Sequence, residues 1–179
     1  MRTTSLAAML LLAACQRAQT PPAPQALETG IPSSGTRLEQ AAIEAGVVAD
    51  VSRLSPVGLY QRRHEAGRDL LCVAPDAAAE FHFGAEAIFG VEQGCRGQGT
   101  ARLAGDKLIL RFAGRPRCII VARYDGDRLA MPGVVDTACA RLCDGRGSFA
   151  GVSFPRIDGE ASAALRARKR DGDRLCDVG

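Results

Sequence analysis

Tryptophan is absent, and the 179 residues hold only two tyrosines and six phenylalanines. That scarcity argues against a sugar- or base-stacking platform, which needs exposed rings. Only Lys107 and Lys169 are lysines, and the formal net charge is +3, too small to call for nucleic acid as a partner. The cations are nearly all arginine; with so much alanine and glycine this reads as a GC-rich genome, with an arginine patch for phosphate as the competing account. The histidines are His64 and His82, and no Cys-x-x-Cys pair occurs, which argues against zinc, iron–sulfur or thiol-exchange chemistry. Ser148 and Ser153 lie outside any Gly-x-Ser-x-Gly context, so an elbow-type hydrolase has no support. Gly94 to Thr100 is glycine-rich but lacks Gly-Lys-Ser/Thr and leads towards a strand, which reads as a disulfide-pinned turn at Cys95 rather than a phosphate loop.

What is present begins with the leader. Met1-Arg2 is a short positive start, Leu6 to Ala14 is an apolar and small-residue run, and polar Gln16 and Arg17 follow Cys15. Charged, apolar and small-residue regions in that order make a secretory signal peptide, expected over residues 1–14. The run is far short of the roughly 20 apolar residues that span a bilayer. The ending Leu12-Ala13-Ala14-Cys15 resembles the lipobox of bacterial lipoproteins. That resemblance covers only the leader. It implies cleavage before Cys15, diacylglycerol (palmitate-type chains) on its sulfur, and a further acyl chain on the new amino group. Two or more chains give stable attachment where one does not. By the family's sorting rule, Gln16 rather than aspartate after the cysteine implies the outer membrane, facing the periplasm.

Residues 15–35 are proline-rich and polar, with too little apolar content to pack, and are expected to form a disordered tether. Residues 36–179 then make one domain, large enough for its own core. Thr36 and Glu39 have capping-box spacing, and Leu38, Ala41, Ala42, Ala45 and Val48 form a stripe on the helix that follows. The stripe is expected to pack on the domain's own core, with a partner face as the alternative.

From Val57 the period changes to two. Leu108, Leu110 and Phe112 fall on one strand face; Phe81 and Phe83 oppose Glu80 and His82 on another. Gly105-Asp106, Gly126-Asp127 and Gly172-Asp173 punctuate the run as tight turns. Strands are expected near 57–64, 69–74, 79–83, 87–92, 99–104, 107–113, 117–124, 128–132 and 147–155. Helical segments are expected near 136–143 and 159–170; the second is basic at its end and is read as a solvated helix clipped down by Cys176. The fold class is mainly β: a small antiparallel up-and-down barrel or meander with a few short helices, stapled by disulfides. Closure would remove the sheet edges.

Cys72, Cys95, Cys118, Cys139, Cys143 and Cys176 are an even set in a chain expected to be exported, which reads as three disulfides. Cys139 and Cys143, one helical turn apart, are expected to bond different partners. The pairing expected is Cys72–Cys95, Cys118–Cys139 and Cys143–Cys176.

The candidate binding residues are Asp76, Glu80 and His82, with the loops around Pro75-Asp76 and Gly133 to Asp136 as contacts. The reading is non-catalytic: an envelope lipoprotein that binds another molecule, without cofactor or metal, held on the bilayer through acylated Cys15, with an envelope protein as possible partner. One alternative is an envelope hydrolase using Glu80 and His82 as an acid–base pair, with Asp76 or His64 nearby. Another is an assembly accessory docking through the first helix, at Leu38 and Ala45. A third is an inhibitor of lysozyme: anchoring and architecture are loosely similar to the lysozyme-inhibitor barrel lipoproteins. The Ser-Gly-x-x-Tyr-type loop of that family has no counterpart, since Ser34-Gly35 lacks the tyrosine.

Overall fold

Period-two alternation from Gly58 onward closes the sheet on itself. The computed structural model describes residues 34–77, 80–115 and 117–177; the leader, Cys15 and most of the expected tether lie outside them. The strands are β1 (Gly58–His64), β2 (Gly67–Pro75), β3 (Phe81–Ile88), β4 (Gly94–Ala104), β5 (Lys107–Phe112), β6 (Ile119–Tyr124), β7 (Arg128–Ala130) and β8 (Ser153–Asp158). Each pairs antiparallel with its neighbour in sequence, and β8 returns to β1 through Tyr60↔Arg156, giving an eight-stranded closed up-and-down barrel. The interior is filled by alternate residues, among them Leu71, Val73, Phe83, Leu108, Leu110, Ile120, Leu129 and Phe154, all buried. Outward positions of β4, β5 and β6 carry Arg, Lys, Gln and Thr, with Ile109, Ile119 and Val121 among them, rather than the continuous apolar band of a membrane-spanning barrel.

Nine strands were expected where eight form. The segments near 79–83 and 87–92 are one strand, β3, which runs through Gly84; Gly90 to Gln93 is the turn that follows. The last strand lies later than expected, at Ser153–Asp158. Phe149 and Val152 are buried ahead of it, in the long connection after β7. Gly94 to Gly99 is not a turn but the first half of β4. A Cβ on Gly97 would stand 2.5 Å from the Phe112 ring, so the missing side chain there makes room for an interior aromatic. Phe112 packs edge-on to Phe83 at 4.9 Å and tilted on Phe149 at 5.9 Å. The three Gly-Asp turns do form, with Gly105, Gly126 and Gly172 at positive φ.

The first helix, α1 (Ser34–Glu44), starts before the expected cap at Thr36. Its stripe does not pack on the core: Leu38 is 73% exposed, and Val48, beyond the helix, is 46% exposed. The alanines at 41, 42 and 45 present too little area to compete with the Leu, Ile and Phe already filling the barrel. The segment near 136–143 is a 3-10 helix, Thr137–Leu142, capped by Asp136 Oδ1 accepting from Ala138 N at 2.7 Å. The basic segment is helical only over α2 (Ala161–Arg166). Arg168 to Arg174 form a turn beyond it, with Lys169 N donating to Asp173 O.

Two of the three expected disulfides are re-paired. Cys118–Cys139 forms as expected; the others are Cys72–Cys176 and Cys95–Cys143. Cys72 points out of the barrel from β2 and Cys95 points in from β4, so the wall itself separates them. Cys139 and Cys143 do bond different partners, and together they strap the β7–β8 connection across one mouth of the barrel. Cys176 instead pins the chain end against the outside of β2. A second small core forms there, of Leu70, Cys72, Ala74, Ala164, Ala167, Leu175 and Cys176.

Candidate functional site

Asp76, Glu80 and His82 are local neighbours at the rim that carries the β2–β3 turn. His82 sits on the outer face of β3 opposite Ala74, with its Nδ1 4.0 Å from Asp76 Oδ2. Its side chain is only 13% exposed, and the buried Nε2 has no hydrogen-bond partner among the described residues. Burial pushes the imidazole pKa below its ordinary value, against the opposing pull of Asp76 and Asp177. Glu80 precedes β3 rather than lying in it, and its Oε2 accepts from Leu103 N at 3.1 Å. The carboxylate is thus engaged with β4, and the ring sits at the margin of the outer core. His64 is at the opposite rim, so it does not join them.

Two buried polar clusters escaped the sequence reading. At the His64 rim, Asp69 is fully buried and accepts from Arg62 Nε at 3.0 Å, Arg62 Nη2 at 2.6 Å and Ile88 N at 2.8 Å, with His64 Nε2 at 3.0 Å. At the other rim, Tyr60 and Tyr124 turn their hydroxyls to the chain entering the barrel: Tyr60 donates to Pro56 O at 2.7 Å and Tyr124 to Ser55 O at 2.8 Å. Arg156 Nη2 donates to Ser55 O at 2.7 Å, to Tyr60 Oη at 2.9 Å and to Tyr124 Oη. Its guanidinium also lies 5.3 and 5.5 Å from the two ring centres. Desolvation raises both phenol pKa values above their ordinary value, although Arg156 favours ionisation. Both clusters plug barrel ends. The one sequence signal was that a chain with only two tyrosines places both at inward positions of strands.

Concave surface lies outside the barrel. A cavity of about 610 Å³ between the β5–β6 turn and the 3-10 helix is lined by Arg115, Arg117, Arg141, Asp136 and Thr137, with Cys118–Cys139 tying its two walls. Three arginines line it with one carboxylate, whose Oδ1 already serves the cap, and Arg115 Nη1 donates to Gly114 O at 3.3 Å; the excess of cations can accept an anionic group. Of the two candidate loops, Gly133 to Asp136 reaches this cavity through Asp136, whereas Pro75-Asp76 lies at the opposite rim. Among the described residues, no three His, Cys, Asp or Glu side chains come together as metal ligands.

No family model, no curated protein and no solved structure matches this chain.

Proposed function

We propose that this is a cell-envelope lipoprotein, anchored through acylated Cys15 in the outer membrane and facing the periplasm, with a non-catalytic binding role. One observation carries the binding half of that reading. The barrel interior is packed with side chains and its ends are plugged, so a ligand or partner must be met on the outside, where an arginine-lined cavity stands open. The alternative of a hydrolase is less favoured by the geometry: Glu80 is held by a backbone N–H, and His82 Nε2 is enclosed. The leader and three disulfides support the envelope half. Inhibition of lysozyme remains a separate reading, tested by whether lysis proceeds normally at excess protein.

Intact mass of protein extracted gently from membranes tests the proposal. The expected species starts at Cys15, carries acyl chains, protects six cysteines until reduction, and loses a non-covalent companion on denaturation. An unmodified Cys15 with alkylatable thiols would overturn anchor and compartment together.

A further inference from the structure

The outward side chains of β4, β5 and β6 form three rows fixed by register: Thr100–Arg111–Ile119, Arg102–Ile109–Val121 and Ala104–Lys107–Arg123. None is acidic. Ile119 is 37% and Val121 43% exposed, and Ile109, paired with Val121 across the strands, is half-buried. Among the described residues, Arg102, Arg111 and Arg123 have no ion-pair partner, and Lys107 reaches only the turn residue Asp106 at 3.4 Å. The outside of β1 to β3 is treated differently: α2 covers β1 and β2, and the chain end pinned by Cys72–Cys176 covers β2 and β3 at Gly84. The β4–β6 face is left bare, and there guanidiniums surround β-branched aliphatics.

We infer that this face seats the barrel on an anionic phospholipid surface. The inference deepens the lipoprotein reading and rests on it for the identity of the membrane. Guanidiniums pair with phosphate in bidentate fashion and keep their charge in any setting. The aliphatics between them gain from leaving water, which a headgroup–acyl boundary allows and a free phosphate does not. No aromatic ring lies in the three rows, so stacked nucleic-acid bases find no platform. Fewer than twenty residues separate Cys15 from α1. A coil of that length spans about 25 Å, so a lipidated Cys15 would hold the barrel close enough to a bilayer for the face to settle on it.

The test uses the full chain carrying Cys15→Ser, so that attachment cannot come from acylation. The probes are phosphatidylglycerol–phosphatidylcholine vesicles, with pure phosphatidylcholine vesicles as the comparison. Because the chain has no tryptophan, Val121→Trp adds a single reporter in the centre of the face. Its emission is expected to shift blue with the anionic vesicles only, and to return in high salt. Ile157→Trp on β8 is expected to stay at its aqueous wavelength. Combining Arg102→Ser, Arg111→Ser and Arg123→Ser is expected to weaken partitioning roughly a hundredfold. Removing the same charge elsewhere, with Arg63→Ser, Arg166→Ser and Arg174→Ser, is expected to leave it unchanged. No shift at position 121, an equal shift at 157, or equal losses from the two triple variants would overturn the inference. Acylation of native Cys15 is read separately by mass: vesicle binding without acylation leaves this face standing alone, and acylation without vesicle binding leaves only the anchor.

Discussion

Leu175 rests its carbonyl oxygen against the bare backbone of Gly84: a Cβ at Gly84 would lie 1.9 Å from that oxygen. The oxygen is main chain and a Cβ takes its position directly from the backbone, so neither can swing aside. The neighbouring Cys72–Cys176 bond holds the two segments at that distance.

Gly84→Ala should therefore dislodge the chain end rather than be absorbed. A loss of about 1–3 kcal/mol is expected in urea unfolding. The Cys72–Cys176 bond should also become easier to reduce, while Cys118–Cys139 should not change. Mapping of alkylated cysteines by mass checks both statements.

The three disulfides close loops of 104, 48 and 21 residues. In the chain-entropy account these stabilise by roughly 4.7, 4.1 and 3.3 kcal/mol. Paired Cys→Ala variants should lose stability in that order, with Cys72–Cys176 the most costly. Denaturant midpoints at constant slope would give the ranking.

Asp69→Ala leaves the buried Ile88 N–H without its acceptor and should cost about 2–3 kcal/mol. The Arg62 pair adds little to this, because that side chain is 39% exposed. Asp69→Asn keeps an acceptor oxygen and should cost about 1 kcal/mol. Equal losses in the two variants would show that the charge, not the hydrogen bond, matters.

Tyr60 and Tyr124 set an alkaline limit. Their phenol pKa values are raised on folding, so above about pH 10 the unfolded chain releases protons that the folded one keeps. Stability is full below that pH and falls as pH rises beyond it. Tyr60→Phe should flatten this limb while costing about 1 kcal/mol at neutral pH through the lost hydrogen bond to Pro56 O. Urea melts across the alkaline range would show both effects.

His82 sets the acid side with the opposite sign. Its pKa is lowered on folding, so the unfolded chain takes up the proton first as pH drops through about 6.5, and stability falls below that point. His82→Gln should remove this part of the acid slope. An unchanged slope would place the acid sensitivity in the carboxylates instead.

The barrel was legible because alternation survives in isolated strands: Leu108, Leu110 and Phe112 declare an inward face without knowledge of their neighbours. The break read within β3 came from Gly84 and the small residues beside it, which look like punctuation until Leu175 is seen to need the space. Pairing of the cysteines was illegible for a related reason. Whether Cys72 and Cys95 face in or out depends on closure, and spacing along the chain carries no such information. Asp69, Tyr60, Tyr124 and Arg156 drew no notice because their meaning is positional: inward residues at the last turn before a barrel end. Asp76, Glu80 and His82 stood out by residue type and spacing alone; Asp76 lies near His82, while Glu80 precedes β3 and is held by Leu103 N. What their sequence hid was the chain end folding back over the outside of that sheet.

The clasp at Cys176 also fixes an order of assembly. Cys72 lies on β2, yet its partner comes 104 residues later, so its thiol must wait until all eight strands have been made. A chain cut short of Cys176 could still close Cys95–Cys143 and Cys118–Cys139 and form most of the barrel. It would leave Leu70 and Ala74 uncovered and the Cys72 thiol without its partner.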